Sequence, residues 1–219
     1  MNIRERLKRW FKLRFAIMYP LGIFAVLFSN SDDRSILMSI WFIVAGLLIR
    51  LWANGYAIKM DKLTTSGPYA FVRHPLYLGT MFLAIGFIIM LKIYYIGILF
   101  IILMAVVYYR TIKKEEVMLE AKFKDAFLRY KKKVPAVFPA IFPYREGEKW
   151  SFSFKRLIKS QEYKPFLWVM ILVIVFHLKE EIMIEREAMD AKICIEFIIV
   201  FILGMFDILG ELARYHNKS

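Results

Sequence analysis

The sequence predicts an all-α fold: a polytopic transmembrane helix bundle of about six spans, forming one membrane domain over residues 1–219. Three observations predict it. The chain is 59% hydrophobic and 17% aromatic, with a mean hydropathy of +0.50, which is richer in large apolar residues than a soluble domain needs. Its apolar residues gather into separate blocks, and its Lys and Arg gather into alternate loops between those blocks.

The blocks are Phe15 to Phe28, Ile36 to Ile58, Leu76 to Met90, Ile93 to Tyr109, Pro165 to Leu178 and Ile193 to Leu209. A helix crosses the hydrocarbon core with roughly 20 apolar residues. The first, third and fifth blocks are short, so each borrows flanking aromatics or Lys and Arg stems to cross. Four spans are the lower bound and six the expectation. Met1 to Phe28 begins basic and continues apolar, as a signal peptide does, but no small-residue cleavage site follows and Pro20 and Gly22 interrupt the core. It reads as a retained first span.

The amino-terminal arm carries Arg4, Arg6, Lys8, Arg9, Lys12 and Arg14, whereas Ser29 to Ser35 sets Arg34 against Asp32 and Asp33. The stretch from Arg110 to Lys164 is strongly basic, while the hairpin at Lys92 and the acidic loop Lys179 to Lys192 are not. This alternation places both termini in the cytoplasm, and the expected location is the inner, cytoplasmic membrane of a prokaryote. The net charge of +13 lies on the rims of membrane helices and points to anionic lipid headgroups as partners. No nucleic-acid recognition fold accompanies it, so no nucleic acid is expected. Cys194 is the sole cysteine, which excludes an intrachain disulfide and a Cys-based metal site; it reads as a small core residue.

Lys59 to Ser66 is a cytoplasmic linker, and Thr64-Thr65-Ser66-Gly67-Pro68 is a turn signal. Lys92-Ile93 is too short for anything but a tight helical hairpin, which brings the helix starting near Arg73 and the helix ending past Arg110 to one side. From Arg110 to Lys133 the apolar residues Val117, Leu119, Phe123, Phe127 and Tyr130 keep near-helical spacing, so the chain leaves the membrane as a helix. Val134 to Tyr144 contains three prolines and reads as an extended apolar flap at the membrane surface. Phe152 to Tyr163 alternates aromatics and cations, the pattern of an interfacial amphipathic helix.

The chemistry-bearing residues cluster in Gly67 to Gly79, which reads Gly-Pro-Tyr-Ala-Phe-Val-Arg-His-Pro-Leu-Tyr-Leu-Gly. Pro75 suits the first turn of a helix. His74, Tyr77 and Leu78 then share one face, and Gly79 leaves room for a neighbour or a ligand. Glu115 and Glu116 form the second cluster, and two adjacent carboxylates at the end of a membrane helix need solvent or partners. The hairpin brings them to Arg73 and His74, where carboxylates can bind a cation or sugar hydroxyls. Arg50 and Asp207 lie at similar depth and either pair or snorkel separately. Glu196 reads as interfacial. His177 and His216 have no partner cluster in sequence, so no metal is expected.

Arg73-His74-Pro75-x-Tyr77-x-Gly79, together with Glu115-Glu116-x-x-Leu119, Phe123, Tyr130-Lys131-Lys132-Lys133-Val134-Pro135 and Pro139, resembles the isoprenylcysteine carboxyl methyltransferase and phospholipid methyltransferase family of integral-membrane enzymes. The resemblance covers residues 49–143, includes Arg50-Leu51-Trp52-Ala53-x-Gly55, and leaves residues 150–219 as an additional amphipathic segment with two spans. Lys124 stands where the family frequently has Gly, and Phe127 where it frequently has Tyr. The resemblance implies S-adenosylmethionine-dependent methyl transfer to a lipid-borne or apolar small acceptor. Its cofactor would lie in a cytoplasm-facing pocket closed by the Val-Pro flap and lined by His74, Pro75, Tyr77, Leu78, Glu115 and Glu116. Arg73, His74 and Glu116 would be catalytic, and Arg73, Arg50 and Trp52 would meet the substrate. Arg73 offers a planar fork that can hold a carboxylate or phosphate through two parallel bonds. The competing readings are an NADPH-dependent membrane reductase of the sterol class, which shares a His-Pro-x-Tyr motif but not the Glu-Glu pair, and a catalytically silent lipid-binding protein.

Overall fold

The computed structural model describes residues 31–58, 62–160, 163–184 and 190–216. The basic arm, the expected first span Phe15 to Phe28 and part of the Lys59 to Ser66 linker lie outside the described residues. Among the described residues there is no strand. The helices are α1 (Asp33–Tyr56), α2 (Pro75–Met90), α3 (Tyr94–Lys133), α4 (Phe154–Ser160), α5 (Tyr163–Lys179) and α6 (Ala191–His216), with a 3-10 turn at Gly67–Ala70 and a π-helical turn at Glu180–Ile184.

α1 starts where the sequence can cap it. Asp32 Oδ1 accepts from the Ser35 amide at 2.8 Å and Ser35 Oγ accepts from the Asp32 amide at 3.0 Å, a reciprocal pair that satisfies two amides at the helix start. Ser35 Oγ also donates to the Met90 carbonyl at 3.0 Å, tying the start of α1 to the end of α2. Lys92 binds the Asp32 carboxylate in the α2–α3 turn. The Lys92 hydrogen bond, helped by the Ser35 amide, holds the Asp32 carboxyl at about 2.

α1 and α2 pack at backbone distance because glycines face each other. A Cβ on Gly46 would sit 2.7 Å from the Gly79 carbonyl oxygen, and one on Gly79 would sit 2.7 Å from Arg50 Cγ. The room left at Gly79 is therefore taken by a neighbouring helix, not a ligand. Ile36, Ile43 and Leu47 of α1, Leu83 and Met90 of α2, and Val169 and Phe176 of α5 form one apolar core.

Two helices, Asp33–Tyr56 and Tyr94–Lys133, are long and apolar enough to cross a membrane, and Pro75–Met90 is a shorter apolar helix. The fourth block and the exit helix are one element of 40 residues, α3, interrupted at Lys124, whose φ of 44° and ψ of −124° are not helical. Lys92 also has a positive φ, 55°, in the turn that reverses the chain into α3. After α3, residues 134–153 contain no helix. Phe152 then packs against Gly55, where a Cβ would lie 2.0 Å from its ring. Arg156 Nε and the Ser153 amide both donate to the Gly55 carbonyl at 3.0 Å, satisfying the negative end of α1.

Two expectations are corrected, and the alternative left open for Arg50 and Asp207 is decided. Asp207 meets Lys164 Nζ at 3.5 Å and Arg50 Nη1 donates to Thr80 Oγ1 at 2.7 Å; Arg50 and Asp207 do not pair, because each finds a nearer partner on an adjacent helix. Cys194 is exposed, since the buried register of α6 falls on its neighbour Ile193, which is fully buried. His177 does have a partner cluster, formed with Glu181 and Glu196 across two helices.

Candidate active site

The α2–α3 hairpin brings the two charged clusters together as its short turn requires. The backbone at the Arg-His-Pro turn is fixed from the other side by the proline-rich segment. The Arg73 amide donates to Pro135 O at 2.9 Å and the His74 amide to Ala136 O at 3.0 Å, while Ala140 and Tyr144 amides donate to Phe71 O and Ala70 O at 2.8 Å each. Prolines at 135 and 139 lack N–H groups, but their segment still offers carbonyls, so it braces the turn through acceptors and the amides between the prolines. Tyr130 Oη donates to Tyr69 O at 2.6 Å and joins the same brace. Beneath it, Phe127, Tyr130 and Val134 form a second apolar core with Leu119 and Phe123 at its edge.

Within this frame the charges divide into two layers. In the inner layer, Arg73 Nε and Nη2 donate to Glu116 Oε1 at 3.0 and 2.5 Å. Arg73 Nη1 donates to Lys131 O at 3.0 Å and also to Val134 O. Lys131 Nζ meets the other Glu116 oxygen at 3.0 Å. The Arg73 and Glu116 side chains are only 9% and 4% exposed, so this is a buried ion pair with several hydrogen bonds, of the type that survives desolvation. In the outer layer, Tyr77 Oη donates to Glu115 Oε1 at 2.7 Å and His74 Nδ1 lies 3.3 Å from Glu115 Oε2. His74 sits between both carboxylates, with Nε2 3.7 Å from Glu116 Oε1; Nε2 is buried and makes no hydrogen bond.

Glu115 and Glu116 lie on the charged extension of α3, beyond its apolar part. Burial pushes Glu115 up, but hydrogen bonds from His74 and Tyr77 outweigh it and hold the carboxyl below its ordinary range. Burial acts on Glu116 in the same sense and is outweighed by Arg73 and Lys131. Both are therefore carboxylates at neutral pH.

A cavity of about 500 Å³ opens beside the outer layer. Arg73, His74, Pro75, Tyr77 and Glu115 line it, as does Arg50; Leu78 and Glu116 do not. Glu116 is consumed by the ion pair behind the wall. Trp52 lines a separate, smaller cavity with Tyr56, Tyr144 and Trp150. The sequence reading missed Tyr69, Tyr108, Lys62, Thr80 and Tyr130 in the wall. Tyr108 was legible: it precedes Glu115 by seven residues, two helical turns on the same face, and its ring lies 4.6 Å from that of Tyr77.

The described residues thus define an all-α chain with two helices long and apolar enough to cross a membrane and a charged cavity where an Arg-His-Pro helix start meets a Glu-Glu helix. Residues 34–121 match the model of the isoprenylcysteine carboxyl methyltransferase (ICMT) family, so this segment of the chain is similar to that family. The match takes in both charged clusters but begins earlier and ends earlier than the motif resemblance over residues 49–143.

Among curated relatives, the chain is 31% identical over 134 residues to a cobalt-zinc-cadmium resistance protein, CzcN, of Cupriavidus metallidurans, covering 59% of this chain and 61% of that one. It is 37% identical over 83 residues to a protein-S-isoprenylcysteine O-methyltransferase of Schizosaccharomyces pombe, covering 38% of this chain and 35% of the relative. The corresponding enzyme of Rattus norvegicus is 35% identical over 126 residues, 49% of this chain and 44% of the relative. The chain thus spans from about a third to three-fifths of the length of these relatives. No solved structure matches.

Proposed function

We propose that the chain is an S-adenosylmethionine-dependent methyltransferase acting on a lipid-borne or apolar small acceptor at the cytoplasmic face of the membrane. The observation that carries this reading is the convergence of His74, Tyr77 and Glu115 on one wall of a cavity large enough for a nucleoside-sized ligand. When bound, S-adenosylmethionine supplies an electrophilic methyl group on a cationic sulfur.

The residues present suit that ligand. Glu115 is a carboxylate beside the cavity, and the rings of Tyr69, Tyr77 and Tyr108 supply aromatic faces, both favourable to a sulfonium. Lys62 and Arg50 in the same wall can meet the cofactor's carboxylate. The orphaned His74 Nε2 is a polar atom that a ligand can satisfy. The proline-rich flap, in this reading, holds the Arg-His-Pro turn in register so that acceptor, methyl and sulfur align and water is excluded.

Arg73 is a positioning residue here. Of its five N–H groups four are engaged within the protein, which leaves one Nη2 N–H for an acceptor. The two-bond fork anticipated from sequence is already used on Glu116. For a carboxylate acceptor that single charged N–H suffices to orient the group, and no base is needed. For an amine or thiol, Glu115 or His74 at the cavity wall can take the proton.

Six crossings with both ends in the cytoplasm, in the inner membrane of a prokaryote, complete the proposal. Its test is incubation of the purified protein with methyl-labelled S-adenosylmethionine and a total membrane lipid extract. Label in a lipid or apolar small molecule is the expected result. Label absent from every fraction, with turnover of NADPH instead, would favour the reductase.

A further inference from the structure

At the end of α1 opposite the methyl-transfer cavity, three side chains from two helices converge. His177 lies near the end of α5, Glu181 in the π-helical turn that follows, and Glu196 one turn into α6. His177 Nδ1 is 3.6 Å from Glu181 Oε2 and 3.3 Å from Glu196 Oε2, and the ligand atoms of all three residues lie within 4.8 Å of one another. Each of these three atoms is buried and makes no hydrogen bond. The Glu181 side chain is 6% exposed. Its other oxygen, Oε1, is bound by Lys192, so Oε2 is aimed inward with nothing to meet it.

Two carboxylate oxygens and an imidazole nitrogen facing one another need either a metal cation among them or a proton on the nitrogen. Ligand atoms about 2.0–2.2 Å from a tetrahedral zinc ion lie roughly 3.3–3.6 Å apart, which is the spacing of the His177 contacts. On its far side, His177 Nε2 lies 3.7 Å from the carboxylate of Asp33, which is on the side where metal-binding histidines commonly have a carboxylate partner. A nitrogen in the set disfavours Ca²⁺ and Mg²⁺, which take oxygen ligands, and favours first-row transition ions.

We propose that His177, Glu181 and Glu196 bind a divalent transition-metal ion of the zinc type, with a fourth position left for water. The competing arrangement is an Nδ1–H of His177 donated to one of the two carboxylates.

The test uses the untagged full-length chain in detergent, stripped with a chelator and titrated with Co²⁺, with Zn²⁺ as competitor. The wild type should take up Co²⁺ at a single site with visible d–d absorption that Zn²⁺ abolishes. Glu196→Gln and His177→Leu should each weaken the apparent affinity roughly tenfold or more, while eluting as the same monodisperse species as the wild type. If His177→Leu does not fold, Glu196→Gln alone carries the comparison. Wild-type uptake no greater than that of Glu196→Gln overturns the metal site and leaves the Nδ1–H hydrogen bond.

Discussion

At the scale of single residues, the chemistry depends on how Arg73 and Glu116 divide their bonds. The pair is buried and ties the middle of α3 to the Arg-His-Pro turn, and Arg73 also reaches the carboxyl end of α3. Glu116→Ala would leave the Arg73 guanidinium buried and half-satisfied, so it should cost about 3 kcal/mol or more of stability, read as a lowered melting temperature in detergent. Glu115 acts differently, since it faces the cavity and takes its hydrogen bonds from Tyr77 and His74. Both carboxyls are held below the ordinary value of 4.5. Their charged forms therefore persist as pH falls from neutral, and their favourable contribution disappears only as pH drops through the lowered values. S-adenosylhomocysteine affinity, measured by calorimetry, should stay level down to the ordinary carboxylate range and fall only below it.

At the scale of elements, the kink in α3 carries a specific expectation. Lys124 occupies a positive φ of 44°, a region where a side chain is strained and glycine is not. The family's frequent Gly at this position now has a physical reason, and Lys124→Gly should stabilise the protein by about 1 kcal/mol, visible as a raised melting temperature. The hairpin that joins the two motifs was legible because Lys92-Ile93 allows no other connection, and the non-helical run after Val134 was legible from its prolines. The bonding of Arg73 was not. It depends on the carbonyls of Lys131 and Val134, about sixty residues away, and no sequence pattern encodes which carbonyl a guanidinium will reach. The His177 cluster was half legible: His177 and Glu181 are four apart on one face, but Glu196 arrives from another helix through a turn whose π geometry the sequence does not announce.

At the scale of the whole molecule, the proposed orientation turns the cavity to the cytoplasm and the His177 cluster to the other side. Reporter fusions after Ser31 and Glu185 should map outside and fusions after Lys149 and Ser219 inside; an outside signal at Lys149 would put the cavity on the wrong face. The central claim, that the His74, Tyr77 and Glu115 wall holds S-adenosylmethionine, is tested most directly by ligand-dependent thermal stability of the purified protein. A ligand that binds only the folded state raises the melting temperature with the logarithm of its concentration over its Kd. S-adenosylhomocysteine should raise it for the wild type and do so much less for a Tyr77→Phe, Glu115→Gln double variant, with NADPH inert on both. Equal stabilisation of wild type and double variant, or stabilisation by NADPH in place of S-adenosylhomocysteine, would contradict the account.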